Sequence, residues 1–250
     1  MKLSRRLGAV AAMVPAGSAV YDVGTDHAYI PIALIEEGRI PCAVASDIGA
    51  GPIRRAEEHI AEHGLSDRIR TVRCDGVPDE PVEGTLVLAG MGGILMSRIL
   101  EAARGRLEGV RVIVGEPQSD LDRYRRTLCG LGYRIDDEAF LKEDGKYYSV
   151  IRAVRSGAAD QPAVNEAADQ PAVSETADLT EAELLYGPVL IKKKDPLFIQ
   201  YLREQRAVKD AIIRQLDRSG QPAGHPRRLT LIDEITLIDG VLASMSDEEA

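Results

Sequence analysis

The sequence predicts an α/β fold, a doubly wound parallel sheet followed by a C-terminal antiparallel helical hairpin, and three observations carry that prediction. Short β-prone runs alternate with helical patterns through the N-terminal half. These runs end, one after another, in acids or glycines. Two long helical patterns, 196–218 and 227–245, then flank the turn-forming segment Ser219-Gly220-Gln221-Pro222-Ala223-Gly224.

At the N-terminus Leu3, Leu7, Val10 and Val14 recur at helical spacing. Ser4-Arg5-Arg6 ahead of an apolar run also resembles a twin-arginine or secretory leader. Cleavage near Ala19 would leave the next strand exposed at its start, so a mature helix is expected. Val20-Tyr21-Asp22-Val23-Gly24-Thr25-Asp26-His27-Ala28-Tyr29 then reads as a strand, a glycine turn and the opening of a helix over 28–37, with Pro31 tolerated in its first turn. Glycine allows a close backbone approach, and the amides that begin the helix face whatever lies above the strand.

That turn is a Rossmann-like first βα turn, and its acids choose between cofactors. A dinucleotide fingerprint needs Gly-x-Gly-x-x-Gly, but Asp26 and Tyr29 hold the later glycine positions. A carboxylate 4 Å from a pyrophosphate charge is repelled by about 4 kcal/mol at an effective dielectric near 20, and it attracts a cation equally. Asp22 and Asp26 therefore suit S-adenosylmethionine, which carries an ammonium and a sulfonium. The plain alternative is a strand and a capped helix with no ligand.

The second strand, Pro41-Cys42-Ala43-Val44-Ala45-Ser46-Asp47, ends in an acid about 20 residues past the glycine turn, where nucleoside-binding sheets meet ribose hydroxyls. Ile48 follows it. The run 69–74 leads into Asp75-Gly76, which can reach an adenine amino group. The run 85–89 ends in Ala89-Gly90-Met91-Gly92-Gly93, where backbone groups can crowd a ligand. A fifth strand, 110–114, leads into Gly115-Glu116-Pro117-Gln118, and a helix follows over 119–129. The segments 132–140 and 146–154 make a terminal hairpin around Glu143-Asp144-Gly145.

His59-Ile60-Ala61-Glu62-His63 matches an inverted zinc-protease pattern. Ile53, Ala56 and Ile60 define the buried face of that helix, however, which leaves both histidines toward solvent, and no third-ligand motif follows. No metal is expected. Cys42, Cys74 and Cys129 lack CxxC spacing and read as reduced core thiols. No apolar run approaches 18 residues, so no membrane span is expected.

With 250 residues and 44% hydrophobic content the chain can bury one substantial core, which two Phe and no Trp make aliphatic. The net charge of −9 would disfavour a nucleic-acid partner if it were spread evenly. It divides into −2 over 1–155, −7 over 156–183 and zero over 184–250. The middle stretch repeats nine residues, 158–166 and 167–175, with one substitution, and reads as an acidic low-complexity linker. Three regions follow: a cofactor-binding domain over 1–155, a linker over 156–183 and a helical hairpin over 184–250. In the hairpin Phe198, Leu202, Val208, Ile212 and Leu216 can pack against Ile232, Ile235, Ile238 and Leu242 in a coiled-coil-like pair. Oligomerisation is an alternative use for such a pair, and the sequence leaves the oligomeric state open.

The chain resembles the bacterial tRNA (adenine(22)-N(1))-methyltransferases over nearly its whole length. Leu3-Ser4-Arg5-Arg6-Leu7, Asp22 to Pro31, Gly51-Pro52, Ala89-Gly90-Met91-Gly92-Gly93, Asp144-Gly145-Lys146-Tyr147-Tyr148 and Tyr186-Gly187-Pro188-Val189-Leu190 carry the likeness. Glu116-Pro117-Gln118 stands where the family has Gln-Pro, and Ser149 where it has an acid. The resemblance implies a class I methyltransferase sheet, S-adenosylmethionine as cofactor, tRNA as partner and a cytoplasmic location. It implies a cofactor site of Asp22, Gly24, Asp26, His27, Asp47, Ile48, Asp75, Gly76, Ala89, Gly90 and Met91. Asp26 and His27 are the candidate catalytic pair. Arg5, Arg6, Tyr29, Lys192, Lys193 and Lys194 are the candidate tRNA contacts, the hairpin serving as a tRNA-gripping extension. A methyltransferase acting on another RNA or small molecule, and a non-catalytic tRNA-binding protein, are the alternatives.

Overall fold

A computed structural model describes residues 1–157 and 179–246. The chain divides into two units, Met1–Asp178 and Leu179–Ala250. The duplicated segment 158–175 lies outside the described residues.

The first unit opens with helix α1 (Arg5–Met13), capped by Ser4, whose hydroxyl accepts from the Leu7 amide at 3.2 Å. Strands β1 (Val20–Val23), β2 (Ala43–Asp47) and β3 (Ile69–Arg73) alternate with α2 (Tyr29–Glu36) and α3 (Ala50–Glu62). Then come β4 (Glu83–Met91), α4 (Gly93–Ala102), β5 (Gly109–Pro117) and α5 (Leu121–Gly130). The hairpin of β6 (Tyr133–Glu143) and β7 (Lys146–Arg155) closes the sheet. Seven strands lie in the order β3-β2-β1-β4-β5-β7-β6, with β7 antiparallel to both of its neighbours.

The expected doubly wound sheet is therefore present, and its order reverses between β1 and β4. Right-handed crossovers then put α2 and α3 on one face and α4 and α5 on the other. Val10, Met13 and Val14 join Ile32, Leu34, Ile35, Ala56 and Ile60 in one aliphatic core with Val87, Val114 and Val150 of the strands. This burial holds α1 in the fold. Strand β5 runs longer than the pattern 110–114 suggested, through Gly115 and Pro117 to pair with Met91. Cys42 is exposed, and Cys74 and Cys129 are half-buried, because each sits at an element end rather than on an inward face. They are not core thiols.

In the second unit, Thr180 and Glu183 form a capping box that starts α6 (Glu181–Tyr186), followed by α7 (Pro188–Lys193). Asp195 caps α8 (Pro196–Arg218) through the Leu197 and Phe198 amides at 2.8 and 3.1 Å, and α9 (Pro226–Ser246) returns along it. Arg206–Asp239 and Lys209–Glu234, each at 2.6 Å, and Arg228–Asp217 at 3.0 Å set the antiparallel register. The buried residues are Phe198 and Leu202 of α8 with Leu231, Ile238, Val241 and Met245 of α9. Val208 is exposed, and Ile232, Ile235 and Leu242 are half-buried.

Candidate functional site

In an open α/β sheet, ligands bind beyond the carboxyl ends of the strands where the order reverses. Here that point lies between β1 and β4. The chain leaves β1 through Gly24 in a left-handed turn, φ +77°, and the Gly24 and Thr25 amides both donate to the Ser46 carbonyl, at 2.8 and 2.9 Å. The Thr25 hydroxyl accepts from the Ala28 amide at 3.1 Å, which holds Ala28 at φ 54° as α2 begins. A Cβ at Gly24 would lie 3.0 Å from Cε of Met91, the last residue of β4, so the end of β4 packs closely on this turn, and the left-handed φ is what favours glycine here.

Asp22 is buried on β1, two residues before this turn. Burial pushes its carboxyl up to about 6, against a lowering hydrogen bond with Thr25. Such a group is poised to ionise when a cation arrives. Asp26 is exposed on the rim, where Arg55 of α3 holds its Oδ1 through Nε at 3.0 Å and through Nη2. His27 Nε2 lies 3.4 Å from Asp26 Oδ2. The charge expected at Asp26 is thus shared with Arg55, a residue 29 positions away that no local motif marks.

The His27 ring stacks on Tyr29, with centroids 4.9 Å apart and planes 11° apart, and His59 meets Tyr29 edge-on at 5.1 Å. His59 Nδ1 lies 3.3 Å from the His27 carbonyl, so this histidine is half-buried beside the site rather than turned to solvent. Among the described residues no three His, Cys, Asp or Glu side chains gather as a metal-binding group.

Asp47 Oδ1 accepts from the Gly49 amide at 2.6 Å, which fixes the carboxylate at the end of β2, and Ile48 beside it is 62% exposed. After β3, Asp75 is exposed, and the Gly76 carbonyl accepts from Ser46 Oγ at 3.2 Å. Gly90, at φ +79°, follows the half-buried Ala89, and the Met91 carbonyl accepts from the Gln118 amide at 2.9 Å. All the predicted cofactor residues thus come from the carboxyl ends of β1 to β4 and the turns that follow them.

Of the predicted tRNA contacts, Tyr29 shares this rim. Arg5 is exposed and reaches the Lys142 carbonyl at 3.4 Å, whereas Arg6 turns inward to Glu116. Lys192 and Lys193 are exposed at the end of α7, and Lys194 caps it at φ 51°; all three belong to the second unit. Glu116, fully buried, is one more acid at a strand's carboxyl end, and the sequence gives no sign that it pairs with Arg6.

Residues 3–151 match the family described as Methyltransferase domain. The chain is 30% identical to the Bacillus subtilis tRNA (adenine(22)-N(1))-methyltransferase over 97% of its own length and 98% of that protein's. The crystal structure of the B. subtilis m1A22 tRNA methyltransferase TrmK superposes with a TM-score of 0.80 at 28% identity, covering 96% of this chain and 99% of that one. A Streptococcus pneumoniae protein solved in complex with S-adenosyl-L-methionine gives 0.79 at 29% identity, over 96% and 100%. Fold, strand-end chemistry and full-length similarity agree: the chain belongs to the tRNA (adenine(22)-N(1))-methyltransferase family.

Proposed function

We propose that the protein transfers the methyl group of S-adenosylmethionine to N1 of adenine 22 in tRNA. The observation that carries the reading is Asp22, a buried carboxyl at the point where the strand order reverses, next to a glycine turn that admits backbone to a ligand. That carboxylate can accept from the ammonium group of such a cofactor. When bound, the cofactor supplies an electrophilic methyl on a positively charged sulfur, and the adenine N1 lone pair forms the new C–N bond as the C–S bond breaks.

The remaining work falls to binding and alignment. Asp22 would hold the ammonium, Asp47 the ribose hydroxyls and Asp75 the adenine amino group of the cofactor, with Ile48 and the Ala89–Met91 backbone lining it. N1 carries an in-plane lone pair, so no activated side-chain nucleophile is required. The protein must orient that lone pair, exclude water and accommodate the positive charge that passes to the base. Asp26 supplies negative charge near that point and His27 helps to position the base. Tyr29, already stacked on His27, offers a face to an extruded base. Arg5, with Lys192, Lys193 and Lys194 of the hairpin, would meet phosphates. A reaction that draws on both adenosylmethionine and tRNA fits a cytoplasmic location.

The test is label transfer from methyl-labelled cofactor to tRNA transcripts, with mass-spectrometric mapping of the product. Methylation at N1 of adenine 22, and its loss when that base is replaced by guanine, is the expected result. Label on another RNA or on a small molecule would overturn the substrate, and tight tRNA binding without transfer would overturn the enzyme.

A further inference from the structure

Among the described residues of the first unit, the large apolar side chains that stand exposed are Tyr29, Ile48, Ile94 and Leu95, apart from Met1. All four lie at the carboxyl end of the sheet, on the turns or first helical turns that follow β1, β2 and β4. Apolar side chains scattered singly over a surface need no explanation, whereas a group gathered at one end marks a place where something binds. Tyr29 and Ile48 already belong to the proposed site. Ile94 and Leu95, 49% and 48% exposed, do not.

These two residues open α4. The Gly93 amide donates to the Ser119 carbonyl at 2.9 Å, and a Cβ at Gly93 would overlap the Ser119 and Asp120 carbonyls, so the start of the helix is seated backbone to backbone in the turn after β5. Met96, Ser97 and Leu100 fill the buried side of α4. Its exposed side carries Ile94, Leu95 and Arg98, which share one face because residues three and four apart are neighbours on a helix. Arg98 makes no ion pair among the described residues, whereas Glu101 of the same helix pairs with Arg123 of α5 at 3.2 Å. The face is thus apolar at its tip and cationic one turn on. Ile94 follows Met91 by three residues, so the two Cα atoms lie within about 11 Å, and Met91 is the residue that packs on the Gly24 turn.

We infer that Ile94 and Leu95 form an apolar wedge that takes the place of the target adenine in the tRNA stack, with Arg98 meeting the adjoining phosphate. This rests on the methyltransferase reading above. N1 lies on the pairing edge of adenine, so a base held in a helix must leave it before N1 can meet the methyl group. Its departure uncovers the apolar faces of the neighbouring bases. Ile and Leu side chains cover such faces where a protein opens a base step, and an arginine suits the phosphate beside the opening. A wedge of this kind has to stand near the methyl group without occupying the cofactor site, and it has to be rigid. The first turn of α4 meets both conditions, because it follows Ala89–Met91 directly and the Gly93 seat fixes it against the turn after β5.

The experiment uses the full chain as wild type, as the double variants Ile94→Ser with Leu95→Ser and Ile94→Val with Leu95→Met, and as Arg98→Gln. The probe is tRNA with 2-aminopurine in place of adenine 22, whose fluorescence rises when the base leaves its stack, bound in the presence of S-adenosylhomocysteine. The serine variant should lose at least about two thirds of the wild-type rise and lower kcat/KM on unmodified tRNA by at least about 10-fold, with cofactor affinity within about 2-fold by calorimetry and an unchanged melting temperature. The Val and Met variant keeps an apolar surface and should recover about half of the rise or more. Arg98→Gln should keep the rise, weaken tRNA binding and lower the slope of log K against log salt by up to about 0.9. A serine variant whose fluorescence rise and kcat/KM stay within about 2-fold of wild type would overturn the wedge, as would a loss explained by melting or by cofactor affinity. A lower mass of the serine variant by light scattering would assign the face to a second copy of the chain and overturn it too. An unaltered salt slope in Arg98→Gln would remove the phosphate contact. Wild-type protein that leaves the tRNA unmethylated would refute the function proposed above and the wedge with it, whereas an active wild type beside an unaffected serine variant refutes the wedge alone.

Discussion

Asp22 couples cofactor binding to protons. Its carboxyl ionises near 3.8 when unfolded and at about 6 when folded, so the folded state binds the extra proton between those values. The contribution of Asp22 to stability is therefore highest below the unfolded value, falls as pH rises from about 4 to 6, and is lower by about 3 kcal/mol above that. A bound ammonium reverses the penalty. Cofactor affinity should rise with pH through 6, with proton release on binding at pH 5.5, and Asp22→Asn should abolish that release; calorimetry in two buffers of different ionisation enthalpy measures it. A Kd constant from pH 5 to 7 would exclude the assignment. Asp26 and Arg55 are both well exposed, so their ion pair adds at most about 1 kcal/mol to stability. Asp26→Asn should reduce turnover more than tRNA affinity at saturating cofactor. Arg55→Ala leaves the carboxylate charged and should keep turnover at or above wild type; an equal fall in both variants would show that the pair matters rather than the charge. The acids and glycines at strand ends were legible because each sits next to its own β-prone run. Arg55 and the Arg6–Glu116 pair were not, because they are joined across 29 and 110 residues by the fold alone.

At the level of elements, β5 and α5 meet where Gly115 faces Tyr124. A Cβ at Gly115 would overlap the Tyr124 hydroxyl, which is itself buried with no hydrogen-bond partner among the described residues. Gly115→Ala should therefore destabilise the first unit by about 1–3 kcal/mol, seen as a lower melting temperature. Tyr124→Phe removes the overlapped oxygen along with its unmet hydrogen bond. It should be neutral or stabilising alone, and should restore part of the loss in the double variant. Additive effects would mean that the overlap is relieved elsewhere. The sequence pattern stopped β5 at Val114 because glycine and proline disfavour strand interiors. Pairing with β4 overrides that preference as far as Pro117. In α9 only Ile238 of the expected seam residues is fully buried, because Leu229, Leu231, Ile232, Ile235, Leu237, Ile238, Val241 and Leu242 surround most of the helix and spacing alone does not say which side is most buried.

At the scale of the molecule, every residue of the proposed cofactor site belongs to the first unit. Truncation after Ser156 should leave a folded protein that binds adenosylmethionine with wild-type affinity and has lost methyl transfer to tRNA. Replacing Lys192, Lys193 and Lys194 with alanine should lower the slope of log K against log salt by up to about 0.9 for each duplex phosphate that is no longer neutralised, with cofactor affinity unmoved. A truncated protein that still methylates tRNA, or an unaltered salt slope, would remove the hairpin from tRNA binding. A change of mass on truncation would point to assembly instead. The alternation of strands and helices was legible from their periodicity, and the terminal hairpin from its Asp144-Gly145 turn, whereas the spatial order of the strands comes from the structure.

The placement of β7 between β5 and β6 also sets a timetable for synthesis. Until Lys146–Arg155 has been made, β5 presents a row of unpaired amides and carbonyls to any strand nearby. The roughly 95 residues that follow take roughly 5–20 s to translate at the usual rate, far longer than a hairpin needs to form. The edge can therefore be sealed while the ribosome is still adding the C-terminal helices. Nascent chains halted before and after residue 155 should differ sharply in their tendency to aggregate.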